Sequence, residues 1–106
     1  MFARNVSIHL KSNMLSDYTR TFEKDVLPLL RKQNGFKDEI TFSSPAGTEV
    51  TAISLWDNKA NADAYNTNAY PEVLKTLARV IEGTPKVQTV EVVNSTFHKI
   101  AVGVGA

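Results

Sequence analysis

Few side chains in this sequence are equipped for chemistry. Tyr18, Phe22, Tyr65 and Tyr70 can stack on a flat substrate, with Trp56 as a further large ring, and all five are read as substrate-binding candidates or neighbours of one. A tyrosine hydroxyl, Tyr65 above all, or Asn5 or His9 can take a proton from such a substrate or hold an oxyanion, which makes these three the catalytic candidates. Each ring also has a plainer use as core or rim packing on an amphipathic helix.

Much other chemistry is excluded. No cysteine occurs, which removes disulfides, thiolate nucleophiles, iron–sulfur clusters and cysteine-based zinc sites together. There is no glycine-flanked serine elbow, and neither His9 nor His98 has an acidic orienter nearby in sequence. The two histidines match no metal spacing and are expected near opposite ends of a sheet, so no metal site is expected. Glycines fall at helix ends, turns or the tail and cradle no phosphate.

The chain has 106 residues, with 12 Lys plus Arg against 11 Asp plus Glu and a formal charge of +1. That length suits one domain, 1–106, and a domain this small gains from a partner subunit. The basic residues are dispersed, Arg31-Lys32 being a helix-end pair rather than part of a phosphate-tracking block, so no nucleic-acid partner is expected. No run of apolar residues is long enough for a signal peptide or a membrane span, which predicts no membrane association and a cytoplasmic location by default.

Several elements must position these residues. Val6, Ile8 and Leu10 alternate with Asn5, Ser7 and His9, predicting a strand over residues 2–11 with one buried face. Ser12 or Asn13 can cap a helix whose stripe is Leu15, Tyr18, Phe22, Val26, Leu29 and Leu30, ending near Gln33 before Asn34-Gly35. Pro28 inside it predicts a kink or a loosened turn around Lys24 to Pro28.

Residues 36–44 and 49–57 read as a hairpin about Pro45-Ala46-Gly47-Thr48, pairing Ile40 with Ile53, Thr41 with Ala52, Phe42 with Thr51 and Ser43 with Val50. Asp57 or Asn58 can cap a second helix, interrupted and restarted at Tyr70-Pro71, with the stripe Val73, Leu74, Leu77, Ala78 and Ile81 running to Gly83-Thr84-Pro85. A last strand is expected over 86–98, followed by a weakly specified tail, Val102 to Ala106.

This order is βαββαβ, an α+β ferredoxin-like arrangement with a four-stranded antiparallel sheet and both helices on one face. The large apolar set Val6, Ile8, Leu10, Ile40, Phe42, Ile53 and Leu55 is expected to meet the helices. Asn5, Ser7, His9, Thr41, Ala52, Ser54 and Trp56 are then left on a reverse face that invites a second sheet.

Three stretches carry a family resemblance: Val26-Leu27-Pro28-Leu29-Leu30 running into Asn34-Gly35-Phe36, then Ile53-Ser54-Leu55-Trp56-Asp57-Asn58, then Ala60 to Tyr65 with Tyr70-Pro71-Glu72-Val73. In this order and spacing, over nearly the whole chain, they resemble the antibiotic-biosynthesis-monooxygenase-like members of the dimeric α/β-barrel superfamily. The resemblance implies a homodimer joined through its sheet faces, with a small-molecule cleft between sheet and helices in each protomer. It implies an enzyme that needs no cofactor and oxidises a small phenol- or quinol-type aromatic. The alternatives are a non-catalytic ligand-binding or stress-associated dimer and a heme-degrading monooxygenase. That heme branch uses a strand Asn, matched by Asn5, an aromatic at the place of Tyr65 and an iron-binding His at the place of Lys75, where a protonated Lys has no lone pair to offer iron.

Overall fold

In β1 (Phe2–Leu10) the side chains of Val6, Ile8 and Leu10 are buried while Ser7 and His9 are exposed, as the alternation predicts. This strand opens a computed structural model that describes residues 1–100. The expected loose tail, Val102 to Ala106, lies outside the described residues.

The cap expected at Ser12 or Asn13 is not there. Asn13 takes a left-handed conformation, φ 61°, that turns the chain, and Met14 occupies the N-cap of α1 (Leu15–Thr21) with no side-chain hydrogen bond. Helical winding then widens into a π-helical turn, Phe22–Val26, before α2 (Leu27–Arg31). Pro28 explains the widening, since its ring crowds the preceding turn and it donates no hydrogen bond. The Leu27 N–H reaches back to the carbonyl of Phe22, five residues earlier. Gly35, φ +78°, ends the stretch and lies so close to Asp57 that a Cβ there would fall 2.1 Å from its Oδ1.

Strands β2 (Phe36–Ser43) and β3 (Glu49–Trp56) form the hairpin in the predicted register: Ile40 opposite Ile53, Thr41 opposite Ala52, Phe42 opposite Thr51, and Ser43 opposite Val50. Asn58 caps α3 (Lys59–Asn68) by accepting from the Asn61 N–H at 2.9 Å. The helix breaks at Ala69, and α4 (Tyr70–Leu77) restarts with Pro71 in its first turn.

The boundary predicted next is corrected. Ile81 is the first residue of β4 (Ile81–Glu91), so Gly83-Thr84-Pro85 lies within a strand and not at a helix end. Those residues form a bulge opposite β1, where the pairing shifts between Ser7 and His9; Gly83 has φ +72° and Pro85 needs no ladder partner. β4 thus ends before residues 92–98, and His98 lies beyond the strand.

All pairings are antiparallel in the order β2-β3-β1-β4, the ferredoxin-like sheet, and one core unites its inner face with the helices. Its faces differ from expectation in one respect. Val6 stands opposite Ala52 and Ile8 opposite Val50, so the inner face of β3 is Val50, Ala52, Ser54 and Trp56, and that of β2 includes Glu39 and Thr41. Ile40 and Phe42, expected against the helices, are 45% and 54% exposed on the reverse face with Ile53 and Leu55. Apolar size misled there: the inner face of β3 mixes Ala52 and Ser54 with Val50 and Trp56, while Ile40, Phe42, Ile53 and Leu55 point outward.

Candidate functional site

Parity along β1 puts Arg4 on the inner face with Val6 and Ile8, and it is only 2% exposed. Arg4 stands opposite Ser54, which stands opposite Glu39, so a polar row crosses three strands beneath the helices. Two strand spacings separate its ends, about 10 Å. Above this row, α3 supplies Tyr65 and Asn66 and α4 supplies Tyr70.

The Arg4 guanidinium is clasped from above. Its Nη2 donates to Asn66 Oδ1 at 2.8 Å, and its central carbon lies 4.9 Å from the Tyr65 ring centroid and 4.4 Å from that of Tyr70. Trp56, 0% exposed, braces Tyr65 from behind in a stack at 5.0 Å, meets Phe36 edge-on at 5.6 Å, and donates its indole N–H to Ser54 Oγ at 2.9 Å. Tyr18 and Phe22 stack at 5.5 Å on the opposite side of the cleft.

Burial sets the protonation states. It lowers the affinity of Arg4 for its proton, against the nearby tyrosines, which favour the charged form. It holds Tyr65 up at about 12 and also raises Tyr70, in both cases with the Arg4 charge pulling the other way. Both hydroxyls are therefore protonated at neutral pH and suited to donate hydrogen bonds rather than to act as bases. Glu39 is likewise raised by burial, opposed by the Thr41 hydroxyl that donates to its Oε2 at 2.6 Å. A carboxyl whose value is lifted in this way suits general-base work.

Arg4, Ser54, Glu39, Tyr65 and Tyr70 line a cavity of about 40 Å³ whose remaining wall is mainly aliphatic, including Val26, Val73 and Leu77. Ligand clefts on the order of several hundred Å³ are typical. The space here is smaller, enough for a few water-sized groups. It adjoins a groove of about 310 Å³ between α1 and β2 that shares Phe22 and Glu39 and is lined also by Tyr18 and Thr41.

Five of the seven residues singled out from sequence thus gather at this cleft: Tyr18, Phe22, Tyr65 and Tyr70 line it, and Trp56 supports it. The structure places Asn5 and His9 elsewhere, on the reverse face; His9 Nδ1 lies 3.7 Å from Glu49 Oε1 near the β1–β4 bulge. Among the described residues no three His, Asp or Glu side chains converge as metal ligands. Lys75 is exposed beside Glu72 on α4 and does not reach the cavity, which is also far too small for a porphyrin. Arg4, Ser54, Glu39 and Asn66 escaped the sequence reading. The signal for Arg4 was present, since it alternates in step with Val6 and Ile8.

No protein-family model matches the sequence, and neither does any curated protein. Solved structures do. A Bordetella bronchiseptica protein assigned as an antibiotic biosynthesis monooxygenase aligns with TM-score 0.75 at 18% identity, over 88% of this chain and 97% of that one. The monooxygenase ActVA-Orf6 of Streptomyces coelicolor, solved with nanaomycin D, aligns with TM-score 0.74 at 16% identity over 92% of each chain. The cofactor-independent oxygenase SnoaB of Streptomyces nogalater reaches TM-score 0.74 at 8% identity, over 90% of this chain and 95% of that one. This chain therefore has the fold of antibiotic-biosynthesis-monooxygenase-like proteins. Among the described residues no helix is long and apolar enough to cross a membrane.

Proposed function

We propose that this chain, sharing the fold of those oxygenases, is a monooxygenase-like enzyme that acts without a cofactor on a small phenol- or quinol-type aromatic. The observation that carries the reading is the row of buried Arg4 and Ser54 and half-buried Glu39 facing Tyr65 and Tyr70 across an apolar cleft. Such a cleft can take up a flat ring, remove its acidic proton at Glu39 and hold the resulting anion beside Arg4 and the tyrosine hydroxyls. An electron-rich anion shielded from water can itself supply the electrons to dioxygen, one oxygen atom entering the product and the other leaving as water.

The enzyme acts as a homodimer in this reading. Ile40, Phe42, Ile53 and Leu55 make the reverse face of the sheet apolar, and pairing two such faces would hide it. The test is oxygen uptake by purified protein with hydroquinone- and anthrone-type substrates. Uptake above background that falls by about two orders of magnitude in Glu39→Gln is expected for loss of a general base. Background rates with every substrate of both types would refute the reading.

A further inference from the structure

Two polar atoms buried in the walls of the cavity and groove have no hydrogen-bond partner among the described residues. They are Nε of Arg4, a residue of the cavity wall, and Oη of Tyr18, a residue of the groove wall beside Thr41. Arg4 and Tyr18 are 2% and 1% exposed, so neither side chain can turn to solvent for compensation. No ion pair among the described residues includes Arg4. A desolvated cation held by one amide oxygen and two neutral tyrosines, with no carboxylate paired to it, is under-compensated.

From this we infer that the cleft recognises a flat aromatic carrying one carboxylate, the carboxylate seated at Arg4 and the body of the molecule passing Phe22 toward Tyr18. The inference deepens the functional reading above and rests on it only for the oxidation of the ring. Size, charge and shape narrow the class. The cavity of about 40 Å³ admits a group the size of a carboxylate, while the adjoining groove of about 310 Å³ has room for an aromatic body. One guanidinium matches one negative charge, and Glu39 across the same cavity disfavours a second. A planar N–H donor suits a planar carboxylate better than a tetrahedral anion. The Tyr18 hydroxyl then offers a hydrogen bond to an oxygen farther along the ligand, as on a hydroxy- or keto-substituted ring.

Calorimetric titration with 2-naphthoate, its neutral isostere 2-naphthamide, and 2-naphthol tests this without reference to turnover. Naphthoate should bind about tenfold or more tightly than naphthamide, the scale of one charge-assisted contact. That preference should disappear in Arg4→Met and survive in part in Arg4→Lys, which keeps the charge but not the fork. Binding can be located because the chain has one tryptophan, whose indole N–H, bonded to Ser54, gives a single nuclear magnetic resonance signal that should shift. Equal affinity for acid and amide in the native protein, an unmoved indole signal, or naphthol binding more tightly than naphthoate would each overturn the inference. Carboxylate-selective binding without oxygen uptake would leave it standing and overturn the oxygenase reading; oxygen uptake without selectivity would do the reverse.

Discussion

Arg4 is enclosed by aromatic rings with no carboxylate to answer it, an arrangement that favours ligand binding over stability. Replacing even a buried ion pair by well-packed hydrocarbon is often neutral or stabilising, by about 1–4 kcal/mol, and Arg4 has no ion-pair partner among the described residues to lose. Arg4→Met should therefore melt at a higher temperature than the native chain, because Asn66, the partner it abandons, is exposed and can turn to water. Thermal unfolding followed by circular dichroism checks this, and a fall in Tm would show that the ring contacts outweigh desolvation.

Glu39 gives a prediction of different form. Its carboxyl is raised in the folded state, chiefly by burial. Below the ordinary carboxylate range it is protonated whether the chain is folded or not, and it contributes no penalty. As pH rises toward and through the raised value, the unfolded chain ionises first and folding becomes less favourable. Relative to Glu39→Gln, the native protein should be most stable in acid and lose ground as pH climbs. A difference in Tm between the two that stayed constant with pH would rule this out.

Among the elements, the helical stretch after β1 and the loop leading into β2 set the cleft's shape. The π-helical turn Phe22–Val26 carries two of the cavity's lining residues, Phe22 and Val26, and Pro28 is its sequence origin. Gly35 allows β2 to leave α2 in close contact with Asp57, which accepts a hydrogen bond from Asn61 Nδ2 at 2.8 Å. Gly35→Ala would combine a left-handed backbone penalty of about 1–2 kcal/mol with displacement of that pair. A loss of about 2 kcal/mol or more is expected in denaturant unfolding, and a near-neutral effect would show that the loop can move aside.

For the whole molecule, the decisive property is a sheet with two unlike apolar faces. The helices cover one; the other carries Ile40 and Phe42, half exposed, together with Ile53 and Leu55. Beside it the segment after β4 runs back toward β2, where His98 Nε2 meets Asp38 Oδ2, bordering a hollow of about 710 Å³. If two copies pair through this face, sedimentation should show a dimer at micromolar concentration and a monomer for Phe42→Glu, with the helix content of both unchanged. A monomeric native protein would remove the proposed assembly while leaving the cleft intact.

Strand alternation in β1, the hairpin register from Phe36 to Trp56, the loosened turn before Pro28 and the restart at Pro71 were legible in the sequence, because neighbouring residues decide each of them. Local chemistry decided less about β4: Gly83 and Pro85 look like punctuation, yet pairing with β1 absorbs them as a bulge. Face assignment belonged to the tertiary structure altogether. Period-two patterns state that residues share a side without stating which side is covered, and only the pairing of Val6 with Ala52 placed Trp56 inside and Phe42 outside. The same long-range pairing of β1 with β3 brought Arg4, 35 and 50 positions before Glu39 and Ser54, into one row with that hairpin pair, and no local signal foretells such a meeting.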